Sequence, residues 1–308
     1  MTVSYMHTRG AVILRSEHGN GTFREYADVS RELPSGFDYP LHVSWQADSV
    51  LLIASYFTPR PRATAIQCTR EDIVKLEDIV TKGTVLQGQS FKTYCCSSDL
   101  QRSRLFLTGE QPSAAGSIAI QIELDASLRI VSVTQFPLRF RIRKDAELHV
   151  TDSSIPDLHT HDGPFSDHKD GLTAVVWIAG IGDDAEAVVG CIRNGAGEWE
   201  GPLVLREAKA NSLFLPSVCV GPDKMTCFSW CERMSEEVYS LRYCLAGSLK
   251  DDPLLSIQDA AAQLSFPQHP GFSRQSAWHR SGFLLLGWCG AWGGTRGVFI
   301  ATCRLRSM

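Results

Sequence analysis

The densest chemistry in the chain lies in Asp157-Leu-His159-Thr-His161-Asp162-Gly-Pro-Phe-Ser-Asp167-His168, which holds three of the nine histidines. Imidazole changes charge near neutral pH, and a neighbouring carboxylate fixes its tautomer, so His and Asp together can move protons. His159 and His161 are two apart and share one side of an extended strand. That pairing suits acid–base work on a substrate. It also suits two metal ligands, with Asp162 or His168 as a third. A run of Asp, His, Gly, Ser and Pro describes an exposed loop equally well. Other polar groups recur along the chain: Asp38 and His42, Lys92 and Tyr94, Asn211 and Ser212, Arg274 and Gln275. Lys92 and Arg274 have the chemistry to hold an anionic or polar ligand group. Trp292, in Gly290-Ala-Trp-Gly-Gly-Thr-Arg296, stands among glycines with little core to fill, which suits ligand contact or a lid.

These residues need elements to position them, and the elements read as short β-rich runs punctuated by turns. The clearest unit runs from Gly195 to Leu245. It opens with Gly195-x-Gly197-x-Trp199 and a polar spacer, and enters an apolar run through Pro216. It then turns at Gly221-Pro-Asp-Lys224, runs from Met225 to Trp230, turns at Glu232 to Glu237, and runs again from Val238 to Leu245. The Gly-x-Gly-x-aromatic signature also occurs at Gly19-x-Gly21-x-Phe23, followed by a proline-led run at Pro40. Trp199 and Phe23 are about 176 residues apart, or about 59 for each of three repeats, which suits a four-stranded blade. On that spacing the first strands of the five units lie at Leu41 to Gln46, Phe91 to Ser97, within Asp157 to His168, after Pro216, and at Ser273 to Trp278.

The fold expected is therefore all-β: a β-propeller of five blades, with six possible, in one domain over residues 1–308. Each blade is a four-stranded antiparallel sheet. Ala11 to Arg15 reads as a strand without a local partner, so it is expected to close the fifth blade, as terminal strands do in propellers. Arg70 to Lys82 reads as a short helix or an outer strand, and Asp259 to Leu264 as a helical turn. Phe136 to Pro156 has room for part of a sixth blade. The basic run Arg139-x-Arg141-x-Arg143-Lys144 alternates with apolar residues and reads as the solvated face of a strand.

Bulk composition sets limits. The 308 residues are 44% hydrophobic and 21% charged, with a net charge of −4 and interspersed signs. Nucleic-acid binding would need a concentrated basic face. No apolar stretch has the length of a membrane span, and the N-terminal apolar run, Ala11 to Leu14, is too short for a signal-peptide core. A cytoplasmic location is expected, with the ten cysteines as reduced thiols, several of them (Cys191, Cys219, Cys227, Cys289, Cys303) inside apolar runs. The chain lacks a Gly-x-Ser-x-Gly elbow, a phosphate-binding glycine loop and a dinucleotide fingerprint, so chemistry without a cofactor is expected.

The fourth unit, with Gly197-x-Trp199-x-x-Pro202, a spacer, Pro216-x-Val218, a turn and an apolar strand ending in Trp230, resembles the repeats of sialidase-like and fucose-lectin-like propellers. It has no Asp-box. Five blades in about 300 residues also resembles the arabinanase and xylosidase glycosidases, which place acidic residues on the inner strands of their first three blades. That resemblance implies a role for Asp38 beside the first inner strand. The second inner strand offers Lys92 in place of a carboxylate, and the third offers Asp157 and Asp162 without a glutamate.

In a propeller the inner strands line a channel, and loops at one mouth shape the ligand site. The polar residues of the five inner strands all differ, whereas a lectin repeats one site in each blade. The expectation is one asymmetric site for a small molecule, either a hydrophobic metabolite or a sugar. His159, His161, Asp162 and Asp38 would do the acid–base work, and His42, Lys92, Tyr94, Arg274, Gln275 and Trp292 would bind. A cyclase, isomerase or lyase fits this pattern. The alternatives are a lectin-like binding propeller and a glycosidase-like hydrolase.

Overall fold

The computed structural model describes residues 2–7, 10–16, 23–28, 38–45, 50–56, 62–68, 73–78, 92–99, 104–113, 116–125, 129–135, 139–144, 147–152, 164–181, 184–249, 256–264, 276–278, 282–292 and 295–304. They form six sheets, antiparallel but for one contact, and the only helix among them is the 3-10 turn Pro222–Lys224. The first sheet holds β1 (Thr2–His7), β2 (Gly10–Ser16) and β3 (Phe23–Asp28). The second holds β4 (Asp38–Trp45), β5 (Val50–Tyr56), β6 (Arg62–Cys68) and β7 (Ile73–Asp78). The third holds β8 (Lys92–Asp99), β9 (Arg104–Ser113), β10 (Gly116–Leu124) and β11 (Ile130–Gln135).

The hairpin of β12 (Arg139–Lys144) and β13 (Glu147–Asp152) comes next. The fourth sheet follows, with β14 (Phe165–Lys169), β15 (Leu172–Ile181), β16 (Ala185–Arg193) and β17 (Trp199–Lys209). The fifth has β18 (Leu213–Val220), β19 (Thr226–Arg233), β20 (Tyr239–Ala246) and β21 (Gln258–Leu264). The last has β22 (Ser276–Trp278), β23 (Phe283–Trp292) and β24 (Thr295–Arg304).

The chain is a β-propeller. Five sheets pack face to face in chain order, each through its first strand: β8 lies against β4 and β14, β14 against β18, and β18 against β22. A sheet with a neighbour on both faces has no wet side, so its strands read as apolar runs rather than alternations. In β15 all eight residues from Leu172 to Ala179 are buried, and in β19 all seven from Thr226 to Glu232. The outer strand β11 alternates instead, with Val131 and Val133 exposed. Phe165, Val176, Val218, Phe228 and Trp230 form one core between the fourth and fifth sheets. Leu215, Cys219, Cys227, Leu284 and Leu286 form another between the fifth and sixth.

Several expectations change. Ala11 to Arg15 does not close the last blade. It lies in β2, which is hydrogen-bonded to β1 on one edge and β3 on the other, and a strand paired on both sides has no edge left to offer. Asp259 to Leu264 is strand β21, not a helical turn, because it completes the ladder beyond β20. Of its two readings, Arg70 to Lys82 takes the outer strand, β7. Gly195-x-Gly197-x-Trp199 does not begin a blade. It is the turn into β17, the outer strand of the preceding sheet, and the supposed polar spacer is that strand. Glu232 belongs to β19 and is buried, not part of the turn after it. The stretch from Phe136 to Pro156 supplies the β12–β13 hairpin, which adds to the edge of β17 through a parallel contact of Arg141 with Leu203.

Candidate functional site

The inner strands β18 and β22 run side by side in the same direction. Ser217 Oγ and Ser276 Oγ are 3.0 Å apart, and two residues further on Trp278 Nε1 donates to the Cys219 carbonyl at 3.3 Å. Paired contacts that advance together fix a parallel arrangement, so the entry ends of the two strands open on the same side of the ring. One strand earlier, Val220 N–H donates to Asp167 Oδ2 at 2.9 Å, which ties β18 to β14. Inner strands that start on one side gather their first residues around one mouth.

Three of the inner strands carry a backbone irregularity near their start. The ladder slips between Asp38 and Leu41 in β4, between Thr93 and Cys95 in β8, and between Phe214 and Ser217 in β18. In β4 and β18 a proline, Pro40 or Pro216, sits in the slip. Proline has no N–H for the ladder, so a bulge accommodates it. At Leu215 the slip puts a buried leucine at φ +52, a conformation that costs a bulky side chain energy. Bulges re-aim side chains at the edges of sites.

The expected site residues fall as follows. Asp38 is the first residue of β4, and His42 pairs with Ile53 further along the strand. Lys92 is the first residue of β8, opposite Glu110, and Tyr94 falls in the β8 slip. His159, His161 and Asp162 precede β14, and Arg274 and Gln275 precede β22; all five lie outside the described residues. Trp292 is not in a turn of its own: it ends β23, opposite Thr295. Ser276 pairs with Leu286, so the six residues of β23 beyond Leu286 extend about 20 Å past that pair, on the side where β22 begins.

His168 is removed from the set. It is 4% exposed and sits between the third and fourth sheets, stacked on Phe106 with ring centroids 3.7 Å apart. The Gln121 amide nitrogen only donates, and it lies 3.1 Å from His168 Nε2, so that nitrogen accepts. The ring proton is then on Nδ1 and goes to Thr173 Oγ1 at 2.9 Å. Ser166 Oγ, 3.3 Å from Nε2, links the imidazole to Thr108. With both nitrogens engaged, His168 cannot serve as the third metal ligand that the spacing allowed. Among the described residues no group of three or more His, Cys, Asp or Glu could hold a metal ion.

The sequence reading missed a second polar assembly. Glu232, buried in β19, takes both donors of Arg206, with Nη2 at 2.6 Å and Nε at 3.1 Å. Arg242 Nε lies 3.3 Å from the same carboxylate and 3.2 Å from Asp259. The signal was available: Phe228, Trp230 and Glu232 share one face of a strand, and an acid on a buried face needs a cation. Cys191, Cys219, Cys227, Cys231, Cys244 and Cys303 are free, and all but Cys303 are buried.

No family model matches the chain, and no curated protein matches it either. Solved structures do. A subtype N10 neuraminidase-like protein of A/little yellow-shouldered bat/Guatemala/060/2010 aligns over 98% of this chain and 89% of its own, with a TM-score of 0.52 and 9% identity. That is a likeness of fold. The endo-arabinase from Bacteroides thetaiotaomicron VPI-5482 covers 76% of this chain and 85% of its own at TM-score 0.43 and 13% identity. A polysaccharide lyase, the PL25 ulvan lyase bound to -[GlcA(1-4)Rha3S]-, covers 97% and 79% at TM-score 0.47 and 11% identity.

Proposed function

We propose that the chain is a carbohydrate-active enzyme that cleaves a glycosidic bond at the mouth where the inner strands begin. The observation that carries this reading is the place of acid and cation at the start of the inner strands, with further acid and base just ahead of β14 in sequence. Asp38 and Lys92 are the first residues of β4 and β8, and Asp162 stands three residues ahead of β14. Glycoside cleavage needs two carboxyl groups flanking the bond, one to protonate the leaving oxygen and one to activate water or attack the sugar. Asp38 and Asp162 are the pair. His159 and His161 tune the proton inventory beside Asp162, and Lys92, on the strand between, holds a hydroxyl or an acidic substituent.

The same groups would serve proton transfer on a hydrophobic metabolite. The neuraminidase-like neighbour in fold favours a saccharide. The test is turnover of a panel of polysaccharides and aryl glycosides by the intact chain and by Asp38→Asn and Asp162→Asn. Loss of the acid–base pair is expected to lower kcat by about 100- to 10,000-fold with the Tm unchanged. Turnover that survives in both variants would sink the assignment.

A further inference from the structure

A propeller blade packs its faces against its neighbours, and its last strand keeps one edge free. That edge is a row of N–H and C=O groups ready to pair with an extended chain, and sheets blunt it with charge or by covering it. Five of the six last strands here are blunted. β3 carries Arg24, Glu25 and Asp28, β7 carries Lys75, Glu77 and Asp78, β21 carries Asp259, and β24 carries Arg296 and Arg304. β17 is covered by the β12–β13 hairpin. β11, Ile130-Val-Ser-Val-Thr-Gln135, has no charge, no proline and no glycine, and among the described strands only β10 lies beside it. That is the composition of segments that pair with their own copies.

The two faces of β11 differ. Ser132 Oγ donates to Glu123 Oε2 at 2.8 Å, and Arg104 Nε lies 3.3 Å from Glu123 Oε1, so a polar chain holds one face in register. Val131 and Val133 take the other face, 47% and 44% exposed, and are two of the four large apolar side chains exposed among the described residues. Exposed apolar surface beside an open backbone edge is removed by one event, the arrival of a strand. The pattern says which strand. Val131-Ser132-Val133 is symmetric about Ser132. Laid antiparallel against a second copy with Ser132 opposite Ser132, each Val131 stands opposite the partner's Val133 on one face. Any shift of register leaves a valine without a valine opposite, so the apolar pattern selects this one. Arg129, just before the strand, then meets Gln135, and no like charges oppose.

We infer that β11 is the surface on which two copies of this chain pair, edge to edge and antiparallel, joining their four-stranded third sheets into one continuous sheet. The two-fold axis stands perpendicular to that sheet, so the two rings run in opposite directions and their mouths open on opposite sides. The two β8 strands lie about 33 Å apart, seven strand spacings. Paired edges of this length bury less than the about 1,200 Å² of a stable interface, so the dimer forms with rising concentration. The inference stands apart from the saccharide reading and holds for any activity at the mouth.

The experiment is sedimentation velocity of the full chain from about 1 μM to about 1 mM. The samples are the wild type, Val131→Lys with Val133→Lys, Val131→Glu with Val133→Glu, and an equal mixture of these two double variants. Both positions are exposed, so circular dichroism and Tm should match the wild type. Expected is a wild-type mass that climbs from one chain toward two. Each double variant should lose the climb, because like charges face each other across the edge, and the mixture should regain it, because opposite charges do. Ser132→Cys keeps both valines and should give a covalent dimer linked at position 132 on mild oxidation, which tests the register without a change of charge. A wild type that stays monomeric at every concentration overturns the proposal. Dimers that persist in both double variants place the interface elsewhere and overturn it too. Double variants that stay monomeric when mixed, with no link through position 132, exclude the antiparallel pairing and with it the proposal.

Discussion

At the scale of single residues, His168 shows how far a side chain's type underdetermines its role. Replacing His168 with alanine removes a buried ring and strips partners from Thr173 and Gln121, which together cost about 2–4 kcal/mol. The expected outcome is a lower urea midpoint at an unchanged m-value. A cost within about 0.5 kcal/mol, the range of an ordinary surface substitution, would remove the structural role. In the sequence His168 stood level with His159 and His161, because spacing tells which face a side chain takes but not what packs on that face. The sign that set it apart was Asp170-Gly171. Both residues have positive φ, the requirement of a two-residue hairpin, so the residues just before them had to be strand. Lys92 was legible inside an inner strand and Asp38 beside one, although the runs read from the sequence began at Phe91 and Leu41 rather than at Lys92 and Asp38.

Among the elements, the repeat was legible in length before it was legible in phase. The contacts Ser217–Ser276 and Cys219–Trp278 each span 59 residues, the interval that the two Gly-x-Gly-x-aromatic motifs imply. The motif marks the last turn of a sheet rather than its first strand, since a tight glycine turn serves any hairpin. Blade boundaries read from it therefore slip by one strand. The joint between β18 and β22 depends on Gly221: a Cβ there would lie 2.3 Å from the Trp278 ring, which is backbone-anchored through Cys219. Gly221→Ala should therefore push the indole away and cost about 1–3 kcal/mol, although the glycine's own φ of −94 suits alanine. Thermal melts of Gly221→Ala alone and with Trp278→Phe test this. The smaller ring should recover part of the loss, and additive losses would mean that the two positions do not meet.

For the whole molecule, fold class followed from the density of turns and the lack of helical periodicity. The arrangement of the N-terminal strands did not, because Thr2–His7 and Phe23–Asp28, the local partners of β2, were not read as strands. The packed sheets also set a pH limit. Burial pushes the Cys244 thiol up to about 12 and raises those of Cys191 and Cys227, and it raises the Tyr243 phenol. In the unfolded chain a thiol releases its proton near pH 8.5, about where a free cysteine does. Raised folded values mean the native state holds protons that the unfolded state has lost, so stability is full below about pH 8.5 and falls as pH rises toward 12. Melting temperatures taken from pH 7 to 11 should be level and then decline, and Cys244→Ala should decline less steeply. A flat profile through pH 11 would contradict the buried-thiol account. The pairing of β2 on both edges has one more consequence, for descent. Each described sheet is a continuous stretch of chain apart from the added β12–β13 hairpin. Copying one stretch of coding sequence therefore adds a sheet with all its hairpins in place, and a ring built this way can change its number of units by a single duplication.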